Sequence, residues 1–374
     1  MRKIAVIYHF FPHYRSGIIK ELLNSKEYEF HFFGSDIPEY SGIKRYLDIP
    51  AERFHIMKFK KIKGFIFQKE LIKLSFSKDF DALIILADPH FLMTWPSSII
   101  ARINHKKVIF WTHGWTRTLK GMRYIIKKQY HNLADALLLY GHRAKEISIK
   151  SGYPEEQTHV IYNSLDYEKQ LLSRNALRSL SISENKKKYY SGGDGAIVTV
   201  ARLIQSCRFD LLIDALYILK KEYNKKPEVI IIGEGPEHDF LAAYANQKAV
   251  DNQINFMGAC YDENVLSRVI YAADVTVSPG KVGLLAMHSL NYGTPVITHD
   301  SFEFQMPEYE AITDNVTGSF FEYNSAESLA KEILVWTKKV KDEETIKACH
   351  DVIDRLYNPR TQSRIIHEVL NEKK

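Results

Sequence analysis

With 374 residues, 45% hydrophobic and 26% charged side chains, the chain is too long for one small core and has the composition of a soluble protein built from two α/β domains. No run reaches eighteen apolar residues, and Met1-Arg2-Lys3 leads straight into an apolar strand, which argues against a signal peptide or membrane-spanning helix and for a cytoplasmic protein. Cys207, Cys260 and Cys349 fit no zinc or redox spacing, and a net charge of +6 leaves anionic lipid, a phosphorylated substrate or nucleic acid as candidate partners.

The first half alternates apolar runs with amphipathic stretches, the pattern of a parallel sheet flanked by helices. Strands are predicted over Ile4–Tyr8, Tyr28–Phe33, Ala82–Leu86, Val108–Thr112, Ala136–Tyr140 and His159–Tyr162. Helices are predicted over Gly17–Leu23, Phe67–Phe76, Pro96–Asn104, Leu119–Leu133 and Ala144–Ser151. Functional groups of such sheets collect at the carboxyl ends of strands. There, His9 to Gly17 reads as an ordinary strand-to-helix turn or as a ligand loop, with His9 and His13 as surface residues or contacts. His113 closes the fourth predicted strand; with a pKa near neutrality it can donate to a ligand hydroxyl or steady developing charge, or it bonds a neighbouring loop. Trp115 beside it is a candidate stacking surface, although aromatic rings pack cores more often.

Residues 53–67 and 117–128 interleave Lys and Arg with bulky apolar side chains. That mix suits an anionic bilayer, at roughly 1 kcal/mol per cation near the surface, or a solvated basic face over a core. No nucleic-acid-binding module accompanies the charge, so nucleic acid is not expected as a partner. The polar stretch 171–195 ends in Ser191-Gly192-Gly193-Asp194-Gly195 and reads as a linker.

The second half opens with a strand over Ala196–Val200 and Arg202 directly after it. Strands over Val229–Ile232 and Val275–Val277 follow, the latter leading into the stretch 278–297. In that stretch Gly280 and Gly283 loosen a loop, apolar residues from Leu284 fit a buried helix, Gly293 is placed to cap it and Pro295 starts a new element. A loop entering a helix presents free N–H groups that suit a phosphate, although glycines also sit at such turns purely for packing.

Ser278-Pro279-Gly280-Lys281-Val282-Gly283-Leu284 followed by Gly293-Thr294-Pro295-Val296-Ile297 resembles the donor signature of family 4 of the retaining nucleotide-sugar glycosyltransferases, which have two Rossmann-like domains. Asn163–Asp166, Arg202-Leu203, Gly233-Glu234-Gly235-Pro236, Met257-Gly258, Pro307-Glu308 and Asn315–Gly318 follow the family's order, so the resemblance spans nearly the whole chain and is strongest over 196–320. Gly280 and His288 stand where the family has its two signature glutamates, and Cys207 where it has a lysine.

The resemblance implies a GT-B type fold, α/β with two Rossmann-like domains facing across a cleft. The expected domains are 1–170 with about 358–374 returning as a C-terminal helix, a linker 171–195, and a donor domain 196–357. It implies donor-diphosphate contacts from Gly17, Arg202, Arg208, Lys281, Gly283 and Leu284, with Arg208 or Lys281 replacing the cation lost at Cys207. Nucleoside and sugar contacts fall on Met257, Gly258, Gly280, Val282, Leu285 and His288, acceptor contacts on His13, His113 and Trp115, and catalysis on His113 and Arg202.

The expected function is retaining transfer of a sugar from a nucleotide-diphosphate donor to a glycan or lipid-linked acceptor, in surface polysaccharide or glycolipid synthesis. No cofactor is expected, and no Asp-x-Asp metal motif is read in the chain, so Arg202, helix N-termini and a further cation are expected to neutralise the diphosphate in place of a divalent ion. The alternatives are a nucleotide-sugar epimerase, which would want acids in the cleft, and a non-catalytic nucleotide-sugar-binding relative, motivated by the substituted positions. The place of work is expected in the cytoplasm, with 53–67 and 117–128 as candidate contacts to the inner membrane face.

Overall fold

The computed structural model describes residues 1–36 and 44–372; the parts of the expected first domain at 37–43 and 373–374 lie outside the described residues. The chain forms two units, Met1–Asp166 with Asn358–Lys374, and Tyr167–Tyr357.

The first unit contains β1 (Arg2–Phe10), β2 (Tyr28–Ser35), β3 (Phe54–Ile56), β4 (Lys60–Ile62), β5 (Phe65–Phe67), β6 (Ala82–Leu86), β7 (Lys107–Thr112), β8 (Ala136–Leu139) and β9 (Thr158–Val160). Seven of these make a parallel sheet in the order β3-β2-β1-β6-β7-β8-β9, and β4 and β5 make a separate antiparallel hairpin. Both faces of the sheet are buried, so its strands read as continuous apolar runs. Ile4, Val6, Ile84, Ile109 and Leu138 face one core, and Ala5, Ile7, Leu83, Ile85, Phe110 and Leu137 face the other. The C-terminal helix Pro359–Asn371 completes the first of these cores with Ile365, Ile366, Val369 and Leu370. Asn358 caps it by accepting from the Thr361 amide at 2.9 Å, and Pro359 opens its first turn.

The second unit contains β10 (Ala196–Val200), β11 (Glu228–Ile232), β12 (Ile254–Gly258), β13 (Val275–Ser278), β14 (Val296–His299) and β15 (Gly318–Phe321). They form one sheet in the order β12-β11-β10-β13-β14-β15, and every adjacent pair is parallel. Strand order reverses direction between β10 and β13, which makes a topological switch point there; ligands of doubly wound sheets bind outside the carboxyl ends at such a point.

Two sequence expectations need correction. The helix predicted from Phe67 begins only at Glu70, because Lys63 and Gly64 both take positive φ (47° and 83°) and form a two-residue hairpin turn that carries Phe65–Phe67 into a strand. The stretch 171–195 is not a free linker. It lies largely in helices Tyr167–Leu177 and Ile182–Tyr189, the second capped by Ser181. Leu177 and Tyr190 enter a core with Leu266, Val269 and Ile270, and Lys186 pairs with Asp274 at 2.7 Å. A few apolar anchors and one ion pair are enough to seat a segment whose average composition is polar.

Candidate active site

In the second unit the exits of β10 and β13 lie side by side and enclose a cavity of about 260 Å³, lined by Thr199, Val200, Ala201, Cys207, Phe209, Ser278, Pro279, Lys281, Gly283, Leu284 and Leu285. Leu285 begins the helix Leu285–Asn291, whose sequence buries Leu285, Met287 and Leu290. The amides of Gly283, Leu284 and Leu285 have no backbone or side-chain acceptor among the described residues. A Cβ at Gly283 would meet nothing within 4 Å, so this side of the loop is open.

Gly280 is the opposite case. A Cβ there would fall 2.2 Å from the Ser206 carbonyl oxygen and 3.0 Å from Cys207, because the turn Gln205–Cys207 presses on the loop. A glutamate cannot occupy this position with the backbone as it stands. The turn carrying Cys207 therefore covers the place a side chain at position 280 would need. Burial pushes the Cys207 thiol up, away from the thiolate, so it offers no charge of either sign near neutrality.

Sequence reasoning did not single out Gln305, which holds the loop. Its Oε1 accepts from the Val282 amide at 2.9 Å, and its Nε2 donates to Thr298 Oγ1 at 2.8 Å and the His299 carbonyl at 3.1 Å. Thr298 in turn donates to the Ser278 carbonyl at 3.0 Å. A lone Gln in a polar loop carries no periodic or motif signal, so only the fold reveals it.

The expected cations separate. Arg202 is exposed just past β10 and has no protein partner among the described residues; Lys281 is likewise exposed and lines the cavity. Arg208 sits in the left-handed region at φ 54°, pairs with Asp210 at 3.1 Å and bonds Asn324, so its charge is already matched within the unit. Met257 is 38% exposed at the end of edge strand β12, and Gly258 takes φ 74° with its carbonyl accepting from the Gly233 amide at 2.9 Å. His288 is half-buried, with Gln170 Nε2 3.1 Å and Glu263 Oε1 3.6 Å from its Nδ1. Burial opposes ionisation of Glu263, yet the His288 ring 3.6 Å away and hydrogen bonds from Tyr292 and Gln170 hold its carboxyl down at about 2. A carboxylate thus stands behind His288, one that the linear motif does not contain.

In the first unit, His113 is exposed after β7 and its ring lies 4.7 Å from that of Tyr140. Desolvation by the neighbouring protein, with the cations Arg15 and Lys127 beside it, lowers its imidazole below the ordinary 6.5, so the neutral form prevails at pH 7. His13 is exposed, with Nδ1 3.2 Å from the Lys44 carbonyl oxygen. Gly17 is buried: a Cβ there would meet the Leu165 carbonyl oxygen at 2.5 Å and Pro359 at 2.7 Å, so its smallness serves close packing of its helix. Trp115 is 1% exposed, packed on Tyr124 and His131, and its ring is not available to stack on an acceptor.

Asp79-Phe80-Asp81 does have Asp-x-Asp spacing. It precedes β6, at the amino edge of the sheet, where Asp79 accepts from Ser77 and Asp81 from the Lys3 amide at 2.9 Å. Among the described residues no cluster of three or more His, Cys, Asp or Glu could hold a metal ion, and no helix is long and apolar enough to cross a membrane.

Residues 181–351 match the family described as glycosyl transferases group 1. No curated protein matches the chain in sequence. Among solved structures it is similar to Anabaena HepE in complex with UDP, at 14% identity, TM-score 0.70 and 99% of both chains covered. It is similar to the lipopolysaccharide outer core galactosyltransferase WaaB in its apo form, at 14% identity and TM-score 0.71, with 98% of this chain and 99% of that one covered. A glycosyltransferase from Rickettsia africae aligns at 15% identity and TM-score 0.71, over 100% of this chain and 99% of that one. The two parallel sheets are thus the two Rossmann-like halves of a GT-B fold, and the match to the glycosyl transferases group 1 model falls within the second unit.

Proposed function

We propose that the chain transfers a sugar from a nucleoside diphosphate donor to a glycan or lipid-linked acceptor, with retention of anomeric configuration and without a divalent metal. The carrying observation is the cavity at the switch point, with the amides of Gly283, Leu284 and Leu285 on one side and the cations Arg202 and Lys281 near it, all without a protein partner among the described residues. HepE was solved with UDP and with UDP-glucose, which supports a uridine diphosphate sugar as the first donor to test.

In the proposed reaction the bond from the anomeric carbon to the diphosphate oxygen breaks and a bond to the acceptor oxygen forms on the same face. The acceptor's proton passes to the departing diphosphate oxygen. Charge gathers on that diphosphate, and Arg202, Lys281 and the loop amides offset it, as fixed donors do wherever charge develops. Neutral His113 is assigned to an acceptor hydroxyl, and His288, backed by Glu263, to the ribose. Surface polysaccharide or glycolipid synthesis is the proposed setting. The exposed Met122, Ile125 and Ile126 among the cations of 117–128, with Ile62 and Phe65 in the basic hairpin, support contact with an anionic bilayer.

Calorimetric titration with UDP tests the placement. Replacing Arg202 or Lys281 by Ala should raise Kd about tenfold or more, the loss of a charge-assisted bond, while Arg208→Ala should stay within about twofold. Unchanged affinity in Arg202→Ala would remove the diphosphate from this cavity. A second reading, a donor-binding protein without turnover, is favoured by the obstruction at Gly280; UDP binding with neither hydrolysis nor transfer of any donor sugar would select it.

A further inference from the structure

We propose that Arg15 is a built receptor for a ligand oxyanion, a phosphate or a carboxylate group, at the carboxyl edge of the first unit's sheet. Arg15 is only 8% exposed. Its guanidinium carbon lies 4.7 Å from the Tyr8 ring centre, 5.1 Å from Trp111 and 5.7 Å from Tyr140, and Nη2 donates to the Tyr140 hydroxyl. Tyr8 and Trp111 belong to β1 and β7 and Tyr140 directly follows β8, so three strands hold one cation in an aromatic frame.

No carboxylate pairs with this cation among the described residues; its electrostatic neighbours are tyrosines. Nε is enclosed without an acceptor, while Nη1, also without one, is not enclosed. Burying a charge without a counter-ion is costly, and stacking on ring faces recovers only part of that cost. A protein keeps such a group where an anion arrives to complete it, and a planar guanidinium fixed by rings is pre-set for two-point contact with an oxyanion. Exposed His113, whose ring packs on the same Tyr140, marks the side from which that edge is reached.

The oxyanion has two possible sources, the phosphates of a nucleotide donor or an acidic group on an acceptor, and the assignment does not depend on glycosyl transfer. Calorimetric titrations of the full chain with inorganic phosphate, UDP, glucuronate and glucose, at constant ionic strength, separate them. At least one of the three anions should bind wild type and lose about tenfold or more in Arg15→Met, with Arg15→Lys in between and glucose without effect. Loss of UDP affinity in Arg15→Met assigns the donor's phosphate. Loss of phosphate or glucuronate affinity in Arg15→Met but not in Arg202→Ala assigns an acceptor group, and this holds even if the cavity of the second unit binds nothing. Removing an unpaired buried charge should leave the melting point of ligand-free Arg15→Met equal or higher. A melting point several degrees lower with all three affinities within about twofold of wild type would make Arg15 a packing residue and overturn the assignment. So would a wild-type chain that binds none of the three at millimolar concentration.

Discussion

Restoring a side chain at position 280 is the sharpest test of the loop geometry. Gly280→Ala would place a Cβ 2.2 Å from the Ser206 carbonyl oxygen and 3.0 Å from backbone atoms of Cys207, distances that only a shift of the 205–207 turn could relieve. Ala201 and Leu203 of the same connection are tied to β11 and its exit by amides donating to Ile232 and Glu234 carbonyls at 3.0 Å, and Gly233 and Gly235 leave no slack against Ala201 and Leu203. The overpacking cost should therefore fall near the upper half of the usual 1–3 kcal/mol, about 2 kcal/mol. For a unit of 150–250 residues that corresponds to a melting point lowered by roughly 4–8 °C. Gly283→Ala is the internal control: with nothing within 4 Å, it should melt within about 1 °C of wild type while weakening UDP binding, because the methyl enters the open side of the loop. Differential scanning calorimetry of the two variants decides. If Gly280→Ala melted like wild type, the turn would not rest on the loop, and the physical account of the glycine at position 280 would be wrong.

Two further outcomes follow from charge and burial. Burial pushes His131 down to about 3 and His299 down to about 4, so the folded chain binds fewer protons than the unfolded chain between those values and the ordinary 6.5. Their contribution is complete above pH 6.5 and is lost as pH falls below it, so the melting point should drop between pH 7 and pH 5, before the carboxylates titrate, and His131→Gln should flatten the slope; equal melting points at the two pH values would refute this. Co-sedimentation with vesicles should show the chain bound to an anionic lipid mixture and released by salt, with the triple replacement of Met122, Ile125 and Ile126 by Ser weakening it; equal binding to neutral vesicles would remove the basic contribution.

Much of the fold could be read from residue order because its strands are buried on both faces. Ile4 to Tyr8, Ala82 to Leu86 and Val108 to Thr112 are continuous apolar runs, and such runs have few other ways to be satisfied. The hairpin at 60–67 escaped because its strands are three residues each, too short for a period to show. The seating of 167–190 escaped because Leu177, Tyr190 and the Lys186–Asp274 pair find their partners far along the chain.

The candidate site divides in the same way. Arg202 and the glycine loop stood out in the sequence because backbone chemistry at a strand exit restricts which residue types serve there. The chain by itself determined its two α/β halves and a glycine-containing loop that leads from a strand into a buried helix at 278–297. Only the tertiary structure decided that Gly280 is enforced by the Ser206 carbonyl oxygen, that Glu263 stands behind His288, that Arg208 is already paired while Lys281 has no protein partner among the described residues, and that Trp115 is core. Those facts depend on distances between residues tens to hundreds of positions apart, and a side chain's charge, access and room are set by such neighbours, which no local pattern records.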